Sequence, residues 1–141
     1  MSAATRATLH QELAALYAAL DTEVRATAVR CDLRGVCCDF EKAGHVLYAT
    51  DLEVDFARDH GGAAPPEAAA DACPFFRSNQ CHLREGRPLG CRVYFCDPAY
   101  AEAMHDLAER YHRRVVALHE AHGVAYRYAP FVRTIREEPR T

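Results

Sequence analysis

The sequence lacks the features of several large classes of protein. No run approaches the roughly 18 apolar residues of a membrane span, and the first residues, MSAATRATLHQEL, contain no apolar signal core. The formal net charge is −3, so no overall positive field attracts nucleic acid or an anionic membrane. We therefore expect a cytoplasmic protein with no membrane partner and no nucleic-acid partner.

Common catalytic signatures are also missing. The chain contains no G-x-S-x-G, no H-E-x-x-H, no P-loop and no dinucleotide-binding fingerprint. Cys81 and His82 are adjacent, but sequence neighbours in a strand face opposite sides, so they make a poor nucleophile–base pair. Hydrolase chemistry therefore has little support, and whether the protein is an enzyme stays open.

Cysteine is abundant and clustered. Seven cysteines occur in 141 residues, three of them in CDLRGVCC (31–38) and four in CPFFRSNQCHLREGRPLGCRVYFC (73–96). In a reducing cytoplasm such clusters indicate metal ligands or redox thiols rather than structural disulfides, and an odd number cannot pair fully within one chain. The predicted metal ligands are Cys31, Cys37, Cys38, Cys73, Cys81, Cys91 and Cys96. We favour Cys31, Cys38, Cys81 and Cys91 most and Cys96 least.

Two long amphipathic helices flank these stretches. The first is predicted over about 9–29, with a capping-box pattern at Thr8 and Gln11. The second is predicted over about 98–122 and is ended by Gly123. Their apolar stripes comprise Leu9, Leu13, Leu16, Leu20 and Val24 in the first helix, and Met104, Leu107, Tyr111, Val115 and Leu118 in the second.

The region between the helices is predicted to hold short elements. A strand at 45–49 leads into a helix at 51–60, because Thr50 and Glu53 form another capping box. Residues 61–72 form an exposed connector, and Ser78-Asn79 join two strands in a hairpin. A turn at 87–90 then leads to Cys91, and Gly90 permits close approach to whatever Cys91 binds. The tail from Val124 is predicted to be extended.

The fold class predicted is α+β and mainly α-helical. One domain covers 1–141, in which the two long helices bracket a cysteine-rich metal centre with short strands, and the cluster core covers 31–96. An apolar wall of Phe75, Phe76, Tyr94 and Phe95 either shields that centre or forms ordinary core. Solvated positions are the preferred interpretation for Asp51, Asp55 and Asp59, and solvated or boundary positions for His105, His112, His119 and His122.

The combined pattern resembles the CxxCxxCC cysteine-cluster proteins of the YkgJ type, described as a zinc- or iron-chelating domain. That family shows C-x2-C-G-x-C-C, then a hairpin similar to C-P-F-L and C-x-I-Y, and then R-P-x2-C-R. The matching residues here are Cys31, Gly35, Cys37, Cys38, Cys73-Pro74-Phe75-Phe76, Cys81-His82-Leu83, Arg87-Pro88 and Cys91-Arg92.

The chain departs from this pattern at Arg34, where the family has its second cysteine. A guanidinium cannot ligate a metal, so Cys96 is a candidate substitute ligand. Arg34 could instead donate hydrogen bonds to a thiolate cluster, and Arg34 and Arg92 are the predicted cofactor-binding residues. Some members of the family carry the label iron–sulfur oxidoreductase, which is the reaction class implied here if the protein is an enzyme.

The chemistry of the ligands limits the choice of cofactor. Thiolates select zinc, copper(I) or iron–sulfur clusters. An iron–sulfur cluster is preferred, because it accepts irregular cysteine spacing more easily than one tetrahedral zinc ion. Zinc and metal-free redox thiols remain alternatives. The corresponding functions are redox or electron transfer with a redox partner, or a structural or accessory role in which the protein docks on an unknown protein partner.

Overall fold

The described part of the chain has a mainly helical α+β structure in which two small antiparallel sheets are formed. A computed structural model describes residues 2–28, 46–61, 75–77, 80–81, 83–95 and 98–137, with backbone alone for 76, 77, 80, 81 and 84. The helices are α1 (Ala3–Ala26), α2 (Asp51–Gly61), α3 (Leu89–Val93), α4 (Ala101–Ala121) and α5 (Phe131–Ile135). The strands are β1 (Tyr48–Thr50), β2 (Phe76–Arg77), β3 (Gln80–Cys81) and β4 (Tyr128–Pro130).

Helix α1 begins six residues before the predicted start and ends three residues before the predicted end. Ser2 caps it, because its Oγ accepts a hydrogen bond from Thr5 N at 3.1 Å. Thr8 is therefore not the cap that its sequence pattern suggested. Its hydroxyl donates to Ala4 O inside the helix. All five residues of the predicted apolar stripe are buried, together with Tyr17.

Helix α4 covers most of the range predicted for the second long helix. A short 3₁₀ turn at Pro98–Tyr100 precedes it, and the chain leaves it through Gly123, whose φ of 64° lies in the left-handed region that favours glycine. Leu107, Tyr111 and Val115 are buried as predicted. α1 and α4 pack together and, with residues of α2 and α3, form the first core cluster.

The predicted Thr50–Glu53 capping box is confirmed at the start of α2. Glu53 N donates to Thr50 Oγ1 at 3.3 Å, and the Glu53 carboxylate accepts from Thr50 N at 3.0 Å. The preceding strand β1 is shorter than predicted. It pairs antiparallel with β4, with Tyr48 opposite Pro130, so the second strand of this small sheet comes from the C-terminal region of the chain.

The C-terminal tail differs from its predicted extended form. After β4 the chain turns into α5, where Phe131, Val132 and Ile135 are buried at helical spacing. These side chains join the second core cluster, whose buried members are Leu47, Ala49, Val54, Ala57, Phe75, Leu83, Phe131, Val132 and Ile135. Burial of this apolar face stabilises a helix that is too short to be stable alone.

The predicted hairpin is confirmed at the level of the backbone. β2 and β3 pair antiparallel, with Phe76 opposite Cys81 and Arg77 opposite Gln80, and the predicted loop residues 78–79 lie outside the described ones. The predicted turn before Cys91 is wrong in part. Pro88 precedes a short helix, α3, so Cys91 lies on a helix rather than directly after a turn.

Candidate metal centre

The predicted cofactor residues divide into a described and an undescribed set. The structure describes Cys91 and Arg92 fully, and it describes Cys81 through its backbone in β3. The remaining predicted residues lie outside the described ones: Cys31, Arg34, Cys37, Cys38, Cys73 and Cys96. Cys91 and the elements that hold it are therefore the part of the candidate site whose side chains the structure describes.

Helix α3 lies between the two core clusters. Leu89 and Val93 are buried in the first cluster, and the half-buried Cys91 packs against the second. The apolar residues at positions 89 and 93 are four apart and share one face, whereas Cys91 lies on another. This helix therefore directs a thiol away from the α1–α4 core.

The absence of a side chain at Gly90 leaves room for Leu47 to pack beside Cys91. A Cβ atom built at Gly90 would collide with Cδ1 of Leu47. Leu47 follows the undescribed stretch that contains Cys31, Cys37 and Cys38. The sequence suggested that Gly90 allows approach to a ligand of Cys91. In the structure the group that approaches Gly90 is the Leu47 side chain.

Arg92 is buried and contacts three other parts of the chain. Its Nη1 donates to Asp21 Oδ2 on α1 at 2.8 Å, and its Nε donates to Arg87 O at 2.8 Å. Its Nη2 donates to Glu85 O in the 3₁₀ turn Arg84–Gly86. The guanidinium carbon lies 4.0 Å from the centre of the Tyr17 ring, which adds a cation–π contact.

Glu53 is a buried carboxylate that accepts four hydrogen bonds. Its Oε1 accepts from Leu89 N at 2.8 Å and from Tyr17 OH at 3.0 Å. Its Oε2 accepts from Thr50 N and from the Thr50 hydroxyl. The same side chain thus caps α2, accepts a hydrogen bond from α1 and accepts another from the first backbone N–H of α3.

Burial perturbs the titration of this network. Desolvation raises the pKa of the fully buried Tyr17 hydroxyl well above its usual value, and the nearby Glu53 carboxylate acts in the same direction while Arg92 opposes it. Desolvation also lowers the pKa of Arg92, and the Asp21 carboxylate opposes that shift. The Tyr17 hydroxyl is therefore protonated at neutral pH and can donate the hydrogen bond that Glu53 accepts.

The aspartates of α2 contact basic side chains. Arg6 Nε donates to Asp55 Oδ2 at 2.7 Å, and Arg6 Nη2 contacts Asp59 at 2.5 Å. Arg127 Nε donates to Asp51 Oδ1 at 3.0 Å. Within the described ranges, no three histidine, cysteine, aspartate or glutamate side chains are grouped so that they could hold a metal ion.

Of the four histidines expected at solvated or boundary positions on the second long helix, His119 departs from that expectation. His119 is buried, and its Nδ1 contacts Ala125 O at 3.1 Å. His112 contacts the Tyr126 hydroxyl at 2.9 Å, and His122 pairs with Glu12 on α1. His119 replaces an apolar residue on the inner stripe of α4 and contacts the chain that leaves the helix.

Two residues of the predicted aromatic wall pack as ordinary core. Phe75 is buried in the second core cluster, whereas Phe95 packs against the first and contacts Tyr100 edge-to-face at 5.8 Å. Tyr94 is half-buried at the end of α3, and the side chain of Phe76 lies outside the described set. Phe75 and Phe95 therefore belong to two different core clusters and do not form one continuous aromatic wall.

Sequence reasoning missed Tyr17, Asp21 and Glu53 as members of this site. A weak signal was available, because Glu53 stands between Leu52 and Val54 and so continues an apolar stretch of α2. The capping-box pattern explained Glu53 by itself and gave no reason to look for further partners. Only the packing of α1 and α3 against α2 reveals the other donors.

The donor chemistry at Cys91 fits a thiolate-bound metal, but one described thiol does not make a centre. A tetrahedral zinc site or a four-iron cluster would need about four thiolates, so either would require further cysteines of the chain. Among the described residues, no helix has both the length and the apolar character needed to cross a lipid bilayer. No family model, curated protein or solved structure matches the chain, so the resemblance to the cysteine-cluster proteins rests on the residues quoted for it.

Proposed function

We propose that this chain is a small metal-binding protein of the cysteine-cluster type. Its centre would be ligated by Cys91 together with cysteines of the stretches 31–38 and 73–96. The preferred cofactor is an iron–sulfur cluster, which would supply one-electron redox chemistry. Zinc is the alternative, and it would supply folding free energy and suit an accessory protein that docks on a partner.

One observation carries this proposal. The chain contacts α3, the helix of Cys91, both before and after the stretch that contains Cys31, Cys37 and Cys38. On one side Asp21, ten residues before Cys31, pairs with Arg92. On the other side Leu47, nine residues after Cys38, packs against Gly90. Nine extended residues reach at most about 32 Å, so the chain length allows these thiols to meet Cys91.

The hairpin supplies the second supporting observation. Leu83 follows Cys81 by two residues and is buried in the second core cluster, against which Cys91 also packs. The 3₁₀ turn Arg84–Gly86 follows, and α3 begins three residues after it. Cys81 and Cys91 are thus only ten positions apart, with Leu83 buried between them, which favours a shared centre.

A substitution series tests the proposal. Cys91→Ser and Cys81→Ser should each abolish stoichiometric metal binding in anaerobically purified protein, because a serine hydroxyl is a poor substitute for a thiolate ligand. Val93→Ala provides a matched control, since it disturbs the packing of α3 without removing a thiol. Metal content should remain stoichiometric in folded Val93→Ala protein.

The proposal would be contradicted by full metal content in Cys91→Ser. It would also be contradicted by a wild-type protein that carries no metal after anaerobic purification. Iron with sulfide would identify the preferred cofactor, whereas zinc alone would identify the alternative.

A further inference from the structure

The buried charged side chains of the described region converge on one short helix. Glu53 and Arg92 are the two acidic or basic side chains other than histidine that are buried there. Glu53 accepts the backbone N–H of Leu89, the first residue of α3, and Arg92 lies near the end of the same helix. We call Tyr17, Asp21, Glu53 and Arg92 the α3 clamp.

The clamp connects α3 to α2 and α1 at its first residue and to α1 again near its end. Tyr17 OH donates to the same Glu53 oxygen that accepts from Leu89 N, so α1 and α2 meet at the start of α3. At the other end the Arg92 guanidinium lies over the Tyr17 ring and donates to Asp21. Cys91 lies between these two attachments, and its position therefore depends on both of them.

Stability alone is a weak explanation for such a clamp. Replacing a buried charged group and its partners by well-packed apolar residues is often neutral or stabilising, because the charges must be desolvated. A network of directional hydrogen bonds has a different benefit, since it fixes the position and rotation of a short helix that apolar packing alone would leave less defined. The helix fixed here is the one that carries a predicted ligand.

We propose that Tyr17, Glu53 and Arg92 are positioning residues that hold the Cys91 thiol in the orientation required by the cysteine-ligated centre. This inference rests on the proposed function. Residues that orient metal ligands without touching the metal typically change metal affinity about 10–100-fold when they are substituted. The clamp would act in this way through the backbone of α3.

Glu53→Gln tests the clamp with a nearly isosteric change. Both carboxylate oxygens accept hydrogen bonds, whereas an amide has one accepting oxygen, so either the Leu89 and Tyr17 donors or the Thr50 donors lose their partner. Tyr17→Phe removes only the hydroxyl. Glu23→Gln is the matched control, because Glu23 lies on α1 but pairs with Arg110 and Tyr111 on α4, away from α3.

The measurement is the rate of metal release from the purified, metal-loaded protein into a colorimetric chelator. It is made at a temperature where circular dichroism shows each variant to be folded. Glu53→Gln and Tyr17→Phe should release metal at least about tenfold faster than wild type. Glu23→Gln should stay within about twofold of wild type, because its contacts do not reach α3.

Leu9→Ala separates positioning from general loss of stability. Leu9 is buried at the far end of the α1–α4 core, so its truncation destabilises the fold without touching the clamp. Slow metal release in Leu9→Ala beside fast release in Glu53→Gln would support positioning. Unchanged release in Glu53→Gln, or equally fast release in Leu9→Ala at matched stability, would overturn it. A wild-type protein without metal would instead contradict the proposed function itself.

Discussion

Removal of the Arg92 side chain should destabilise the protein strongly. The guanidinium is buried and donates to Asp21 and to two backbone carbonyls, Arg87 O and Glu85 O. Hydrogen bonds that involve a charged group contribute about 1.5–3 kcal/mol each, and removing one partner of a buried ion pair costs about 3–5 kcal/mol. Because Asp21 is partly exposed and water can solvate it, we expect Arg92→Met to lower the free energy of unfolding by about 3–4 kcal/mol.

Arg92→Lys distinguishes charge from geometry. Lysine keeps a positive charge near Asp21, but one ammonium group cannot reproduce the planar fork that reaches both carbonyls. We expect Arg92→Lys to cost about 2 kcal/mol, which corresponds to the loss of one charge-assisted hydrogen bond to a carbonyl. Equilibrium urea unfolding followed by far-ultraviolet circular dichroism would measure both variants.

A double-mutant cycle with Asp21→Asn supplies the sharpest control. Residues in direct contact show coupling energies of about 0.5–3 kcal/mol, and the pair is joined at 2.8 Å. Strict additivity of Arg92→Met and Asp21→Asn would refute the assignment of this ion pair. A loss below about 1 kcal/mol in Arg92→Met would refute the wider claim that Arg92 fastens α3 to α1.

Three further substitutions test the burial of the Tyr17 hydroxyl, the contact between Gly90 and Leu47, and the cap of α2. Burial raises the pKa of Tyr17, so ionisation above about pH 10 favours the unfolded chain, and the stability that is present below that pH is lost as the pH rises. Wild type should therefore lose up to about 1.4 kcal/mol per pH unit more than Tyr17→Phe in alkaline urea titrations, and parallel curves would contradict the burial of this hydroxyl. Gly90→Ala should cost about 1–3 kcal/mol, because the added methyl group collides with Leu47, and a neutral effect in urea unfolding would contradict that contact. Thr50→Ala should cost about 1 kcal/mol through loss of the cap of α2, and an unchanged urea midpoint would contradict the capping box.

The long helices were predictable because their apolar residues repeat at helical spacing. Leu9 to Val24 and Leu107 to Val115 lie where that repeat puts them, on the faces that pack together. The Thr50–Glu53 capping box was also readable, since it depends on two residues three positions apart. The antiparallel pairing of β2 with β3 followed from local composition in the same way.

Other elements are stabilised by residues far away in the sequence, so no local sequence pattern predicted them. Helices α3 and α5 have five residues each, which is too short for a clear periodic pattern, and both are stabilised by burial against other elements. The start of α1 was misplaced because Thr8 and Gln11 imitate a cap, while the actual cap at Ser2 lies before Arg6 and its contacts with α2.

The α3 clamp illustrates the same limit at the candidate site. Glu53, Tyr17 and Arg92 come from three segments of the chain, so no local pattern joins them. The sequence did identify Cys91 and Arg92 through their neighbours in the cysteine-rich stretch. The sequence did not reveal that the buried Glu53 carboxylate accepts a hydrogen bond from the first backbone N–H of α3.

Metal and acid-labile sulfide analysis of the anaerobically purified wild-type protein tests most directly whether the cysteines form a metal centre. We expect stoichiometric iron with sulfide and a broad visible absorption that bleaches on reduction, or stoichiometric zinc in the alternative. A colourless protein with neither iron nor zinc, and with all seven thiols titrating as accessible groups, would contradict it.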